Sequence, residues 1–338
     1  MRVAVYYSNK DIRIEKKPRP KIGDGEILVK IEASGICGTD CLEWYRIHRV
    51  PLVLGHEIAG IVVEAERGVK SCKIGDRVAV SHHVPCGVCR FCLDGHETVC
   101  DTLRKTNFDP GGFSEYVRVP KINCEKGVYI IPKNVSFEDA TFVEPLACVL
   151  RGQRLAGIST SKRIKDKTLL VIGSGISGIL HIKLARLYGI KRIIATDLSP
   201  YRLKAAEKAG ADFAVNAADY SPELADFVII CAGALPAIEQ GLRSLERGGT
   251  VLFFAAAGKD DKIPVPINEI FWRNEASMMS SYAGSPADHA EALKLIASKK
   301  IAVADMITHR LGLDDTGLGF KLVAEARESM KVIIEPWR

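Results

Sequence analysis

A strand, a glycine turn and a helix between residues 168 and 187 constrain this chain more than any other feature. Residues 168–172 form a compact apolar run, and Gly173-Ser174-Gly175-Ile176-Ser177-Gly178 follows it. Ile176, Leu180, Leu184 and Leu187 then recur at helical spacing. Asp197 lies 19 positions beyond Gly178, just after the next apolar run at 193–196. A G-x-G-x-x-G in that setting is the phosphate-binding turn of a dinucleotide site, although the same pattern without its context is an ordinary glycine-rich turn. Gly173 allows the tight turn, Gly175 lets backbone approach a pyrophosphate, and Gly178 lets helix and strand pack closely. The helix N-terminus adds free N–H groups and partial positive charge. Ser174 and Ile176 belong to the same turn. Asp197 is placed to accept hydrogen bonds from ribose hydroxyls and to repel a 2′-phosphate, which favours NAD over NADP. Arg202, five residues on, either stacks on adenine or tolerates that phosphate, so NADP stays possible.

The alternation continues, with a helix at 200–209, a strand at 227–231, a helix at 236–245 and a strand at 251–255. Strands alternating with helices of this length predict an α/β architecture with a parallel sheet covered on both faces. The first ~145 residues read differently. Short runs at 3–7, 27–31, 61–63 and 77–80 are separated by Gly, Pro and Asp turns and predict a β-rich domain. Ser136-Phe-Glu-Asp139 has capping-box spacing and predicts a helix through Ala147. The last ~55 residues carry one clear helix, 286–298, and a terminal strand, 331–334. At 338 residues the chain is expected to hold about two domains.

Ten cysteines are unusual, and four of them, Cys86, Cys89, Cys92 and Cys100, fall within fifteen residues. In a long chain without a signal-peptide core, metal ligation explains them better than disulfides. Four soft ligands suit tetrahedral zinc and leave no open position, so the expected role is structural. A ferredoxin-type cluster run continues with three residues, a Cys and a Pro, whereas here the gap is seven and Asp101 follows Cys100. A zinc ribbon pairs two C-x2-C knuckles across a longer loop, which also differs from this spacing.

A second set is dispersed: Cys37-Gly-Thr39-Asp40, then His56-Glu57, then Glu144. A thiol, an imidazole and a carboxylate would make a mixed site with an open position, the catalytic type of zinc site. Each residue alone also has an ordinary reading. A lone Cys is usually a small core residue, and Glu144 fits a carboxylate at a helix N-terminus. No local spacing joins the three.

The ordered motifs GICGTD, LGHEIAG, GDRV, the four-Cys lobe, FVEPLA, VIGSGISG and TDLSPYRL resemble the zinc-dependent medium-chain dehydrogenases over nearly the whole chain. The polyol (sorbitol/iditol-like) and threonine dehydrogenase branch resembles it most. The resemblance implies a GroES-like catalytic domain at 1–147 with a structural zinc lobe at about 85–101, a Rossmann domain at 148–282, and a return to the catalytic domain at 283–338. It implies two zinc ions per chain. Cys37 and His56 match catalytic zinc ligands. Glu57 and Glu144 match carboxylate positions of the same centre, with the direct third ligand open between them. Thr39 matches the hydroxyl that bonds the substrate oxygen, Asp40 a partner behind the ligands, and Tyr282 a cofactor contact. Where many members carry a His in a proton relay, five residues after the catalytic Cys, this chain has Leu42. The segment 41–54 is short and unlike its counterparts. The implied reaction oxidises a secondary alcohol, foremost a polyol, to a ketone by hydride transfer from a zinc-bound alkoxide to NAD. Threonine or a simple secondary alcohol is the alternative substrate, and a non-catalytic zinc- and dinucleotide-binding module is the alternative outside enzymes.

Composition excludes other classes. The net charge of +6 is spread along the chain, its densest basic stretch (13–21) has no interleaved aromatic, and aromatics total 7%, so no nucleic-acid footprint is expected. No apolar run reaches the ~18 residues of a membrane span. A cytoplasmic, homo-oligomeric (dimer or tetramer) enzyme of small-molecule substrates is the expectation.

Overall fold

The computed structural model describes all residues, 1–338. The chain divides into two compact units, Met1–Ala147 with Ala283–Arg338, and Cys148–Tyr282.

In the second unit six parallel strands pair in the order Phe213–Asn216, Arg192–Asp197, Thr168–Ile172, Ala225–Ile230, Leu245–Phe253, Ser277–Ser280. The central strand has its successor on one side and a later strand on the other. The crevice at such a reversal is where open α/β sheets bind ligands, and here the glycine turn leaves the central strand at that point. Leu170, Ile172, Ile194, Val228, Ile230 and Val251 fill the core on one face, as fully buried parallel strands require. The helices Ile176–Tyr188 and Pro200–Ala209 each end on a glycine with positive φ, the usual left-handed stop. The two outermost strands, FAVN and SMMS, were not expected from sequence; they lack the apolar run that marks the inner ones.

The first unit is built on a larger sheet. Its strands follow the order Ile307–Gly312, Lys331–Glu335, Ile27–Gly35, Glu57–Ala65, Arg77–Ser81, Val128–Ile130, with Tyr116–Val119 also pairing with Ile27–Gly35. A three-stranded sheet holds Asp11–Lys16, Arg2–Ser8 and Leu52–Val53. Two apolar clusters consolidate this unit, one around Val3, Val5, Phe113, Phe320 and Ile334, the other around Ile27, Ile31, Val62, Val78 and Val117. Ser136 caps as expected, its side chain accepting from the Asp139 N–H. The helix it opens differs from the expectation: Phe137–Ala140 ends after one turn, and a second helix, Val143–Leu155, carries on past Ala147. The terminal helix Thr316–Glu325 was not foreseen because glycines at 317 and 319 dilute its apolar period.

Candidate metal and dinucleotide sites

The strand Ile27–Gly35 delivers Cys37 to a tight 3-10 turn, Gly38–Cys41. The Cys37 sulfur caps that turn. It accepts from the Thr39 N–H at 3.5 Å and from the Thr39 hydroxyl at 3.3 Å. The Cys37 N–H in turn donates to Asp40 Oδ2 at 3.1 Å. His56 and Glu57 enter from the neighbouring strand Glu57–Ala65. His56 Nδ1 lies 3.3 Å from Asp40 Oδ1. Burial alone would raise the Asp40 carboxyl's pKa, but His56 and Arg46 and the Cys37 N–H hold it below the usual range. Burial opposes the protonated form of His56, and Asp40 outweighs it, so His56 is raised well above its ordinary value. With Nδ1 turned to Asp40, Nε2 is the ring nitrogen left for another partner.

Cys37 Sγ, a His56 ring nitrogen and a Glu57 carboxylate oxygen thus lie within 4.8 Å of one another. A soft thiolate, an imidazole and a hard carboxylate are the donor set of an open zinc site. Glu57 is 1% exposed and is paired through Oε2 with Lys331, itself fully buried. Glu144, in the first turn of Val143–Leu155, faces Glu57 across a cavity of about 10 Å³ that Tyr129 and His289 also line. Glu144 stands outside the three-donor group. His289 donates through Nδ1 to the Ser285 carbonyl, and its buried Nε2 has no partner.

The four thiols of the lobe converge equally. Their sulfurs lie within 4.8 Å of one another, with Cys89–Cys92 at 3.5 Å and Cys86–Cys100 at 3.6 Å. The N–H groups of Val88 and Cys89 point at the Cys86 sulfur at 3.4 and 3.3 Å, and the Cys86 N–H points at Cys100 at 3.4 Å. Such donors favour thiolates, the form that binds metal.

In the second unit Gly173 has φ +92°, and a Cβ at Gly178 would collide with the Gly173 carbonyl. The free N–H groups of Ile176–Tyr188 start at Gly175, where Ser174 and Ile176 flank the turn. Asp197 ties this turn to its own strand end: Oδ2 accepts from Ser174 N–H and Oδ1 from Ser199 N–H, both at 2.8 Å. The Arg202 guanidinium lies 3.8 Å from where a side chain on Gly175 would project, and its buried Nε has no partner. An open glycine cradle beside a guanidinium whose buried Nε has no partner fits a dinucleotide's phosphates. Tyr282 ends this unit and is exposed.

Sequence reasoning missed four neighbours of the metal donors. Lys331 is one. Arg46 is another; its Nε donates to the Thr39 carbonyl at 3.3 Å, and Nη2 is 3.8 Å from Asp40. His82 and His83 complete the set. The His82 ring centroid lies 4.9 Å from that of His56 and 3.8 Å from that of His83. The adjacent histidines before the four-Cys lobe were the available signal.

Residues 23–132 match the alcohol dehydrogenase GroES-like domain, and residues 177–298 match the zinc-binding dehydrogenase domain. An alcohol dehydrogenase of Geobacillus stearothermophilus is 34% identical over 312 residues, covering 86% of this chain and 87% of that protein. The chain belongs to the zinc-binding alcohol dehydrogenase family. Among other members of this family, the sorbitol dehydrogenase of Bacillus subtilis is 29% identical over 361 residues, spanning 100% of this chain and 98% of its own. A zinc-binding dehydrogenase of Sinorhizobium meliloti, solved bound to NADP, superposes with a TM-score of 0.86 at 30% identity and 99% coverage of both chains. Galactitol-1-phosphate dehydrogenase of Escherichia coli gives 0.85 at 25% identity, covering 99% of this chain and 100% of that one. Like its relatives, this zinc-binding dehydrogenase is an oxidoreductase of alcohols. No helix in it is long and apolar enough to cross a membrane.

Proposed function

We propose that this chain is a zinc- and NAD(P)-dependent polyol dehydrogenase that oxidises a secondary alcohol to a ketone. The observation that carries this reading is the meeting of Cys37, His56 and Glu57 donors within 4.8 Å, with the Thr39 hydroxyl 3.3 Å from the thiol. The names of the sorbitol dehydrogenases and xylulose reductases among its relatives support the polyol class. Cys37, His56 and Glu57 would hold one zinc, with Glu144 lining the small cavity beside Glu57. Cys86, Cys89, Cys92 and Cys100 would hold the second. Gly173, Ser174, Gly175, Ile176, Gly178, Asp197 and Arg202 would bind the dinucleotide, NAD in preference to NADP. Residues 1–147 and 283–338 serve as the catalytic domain, and 148–282 as the cofactor domain. We place the enzyme in the cytoplasm as a dimer or tetramer.

A zinc held by Cys37, His56 and Glu57 would supply Lewis acidity toward an alcohol oxygen, and a nicotinamide dinucleotide held at the glycine turn would supply the hydride acceptor. The residues do the rest. Asp40 fixes the His56 ring so that Nε2 presents its lone pair, the arrangement that orients metal-bound histidines. Thr39 accepts the proton of the substrate hydroxyl and passes it outward. Leu42 takes no part in that transfer, so the proton leaves by another route. Lys331 pairs with Glu57 and offsets its charge in the buried site.

The test is a panel of polyols, threonine and simple secondary alcohols, with NAD and NADP in parallel, followed by NADH or NADPH absorbance. Polyol oxidation with NAD supports the reading. A protein that holds both zinc ions and oxidises no alcohol on the panel overturns it.

A further inference from the structure

His82 is held more firmly than a loop side chain needs to be. On one side its ring packs on His56; on the other it packs on His83, and Phe108 meets it edge-on at 6.3 Å. His83 is itself anchored, its Nδ1 donating to the Thr106 carbonyl at 2.9 Å. The stack therefore fixes the orientation of a ring beside the three metal donors. Yet the ring makes no hydrogen bond. Nδ1 is buried without a partner, and the residue as a whole is half-buried, so its open edge carries Nε2. A buried, unpaired N–H is rarer in proteins than an unpaired acceptor, which puts the ring proton on Nε2. A ring fixed by stacking beside a metal donor, with its Nε2 on the open edge, is preorganised to meet a polar group of a substrate.

We propose that the Nε2–H of His82 donates a hydrogen bond to a second hydroxyl of the substrate, next to the carbon being oxidised. This rests on the polyol dehydrogenase reading and narrows it: His82 is a specificity residue that selects an alcohol bearing a neighbouring hydroxyl over one bearing only a hydrocarbon chain. A site that hydrogen-bonds a substrate hydroxyl discriminates strongly against the analogue lacking it, because the site's own polar group is then left unpaired.

The test compares xylitol with 2-pentanol, both five-carbon secondary alcohols, in the zinc-loaded enzyme with NAD. Wild type should favour xylitol. His82→Phe keeps a flat ring in the stack but no donor. The ratio of kcat/KM for xylitol to that for 2-pentanol should fall at least tenfold, mostly through KM, while zinc content stays at two per chain and 2-pentanol oxidation stays within about twofold. His82→Gln, which places an amide N–H near the position of Nε2, should recover most of the ratio. His82→Leu is a second apolar variant that should move the ratio the same way should the Phe variant not fold. An unchanged ratio in the apolar variants overturns the proposal. An equal loss on both alcohols, or loss of the zinc held by His56, also overturns it, because His82 would then serve only to support His56. Wild type that oxidises neither alcohol removes the dehydrogenase reading, and the inference with it.

Discussion

Lys331 and Glu57, separated by 274 positions, form an ion pair in the interior of the larger sheet of the first unit, with both side chains within 1% of complete burial. The register accounts for it: Gly35 pairs with Glu57 on one side and with Ile333 on the other, which places Lys331 at the same end of the sheet. Phe142 covers the ammonium, whose Nζ lies 5.5 Å from the ring centroid. Removing one partner of such a pair leaves an uncompensated buried charge, which costs about 3–5 kcal/mol. Lys331→Met should therefore lose stability of that order in urea unfolding. A change below about 1 kcal/mol would mean that Glu57 is compensated elsewhere.

Gly35 makes room for that pair. A Cβ at this position would run into the Glu57 carboxylate and the end of Lys331. Gly35→Ala should displace Glu57 from the donor group and lower zinc content from two ions per chain toward one, with the four-Cys lobe still loaded. Unaltered metal content in this variant would show that Glu57 is dispensable for holding the ion.

The four-Cys lobe predicts a separate behaviour. Its sulfurs are gathered around a point far along the chain from Cys37 and His56, and a closed tetrathiolate site contributes folding free energy rather than chemistry. Cys89→Ser should lose one zinc and lower the melting temperature, while the folded fraction retains most of its kcat. An unchanged melting temperature would argue that the thiols hold their places without metal.

Asp197 spends both carboxylate oxygens on backbone N–H groups of Ser174 and Ser199. An amide there keeps one acceptor and drops the charge. Asp197→Asn should narrow the NAD/NADP preference in kcat/KM by roughly tenfold, equivalent to about 1.4 kcal/mol, with Arg202 then free to meet a 2′-phosphate. Arg202→Ala in the same background should reverse that gain. A preference that stays fixed in Asp197→Asn would remove Asp197 from coenzyme selection.

What could be read from sequence was what is local in sequence. The glycine turn, its strand and its helix lie within about twenty residues, and so do the four thiols, so spacing alone reveals their chemistry. Cys37 and His56 stood apart by 19 positions with no shared period; only the order of motifs joined them, and the pairing of Ile27–Gly35 with Glu57–Ala65 is the physical reason they meet. Lys331 was invisible because its partner depends on the register of three strands. His82 was missed because stacking of rings leaves no spacing rule behind, so its adjacency to His83 was the signal available. The short outer strands of the parallel sheet escaped for the opposite reason: half-exposed edges need no apolar run.

The central claim is that Cys37, His56 and Glu57 hold a zinc ion distinct from that of the four-Cys lobe. Zinc content measured on the purified wild type and on His56→Ala tests it most directly. The expected result is two ions per wild-type chain, with one ion and no alcohol oxidation in the folded variant. One ion in both proteins, or two ions and undiminished turnover in His56→Ala, would contradict it.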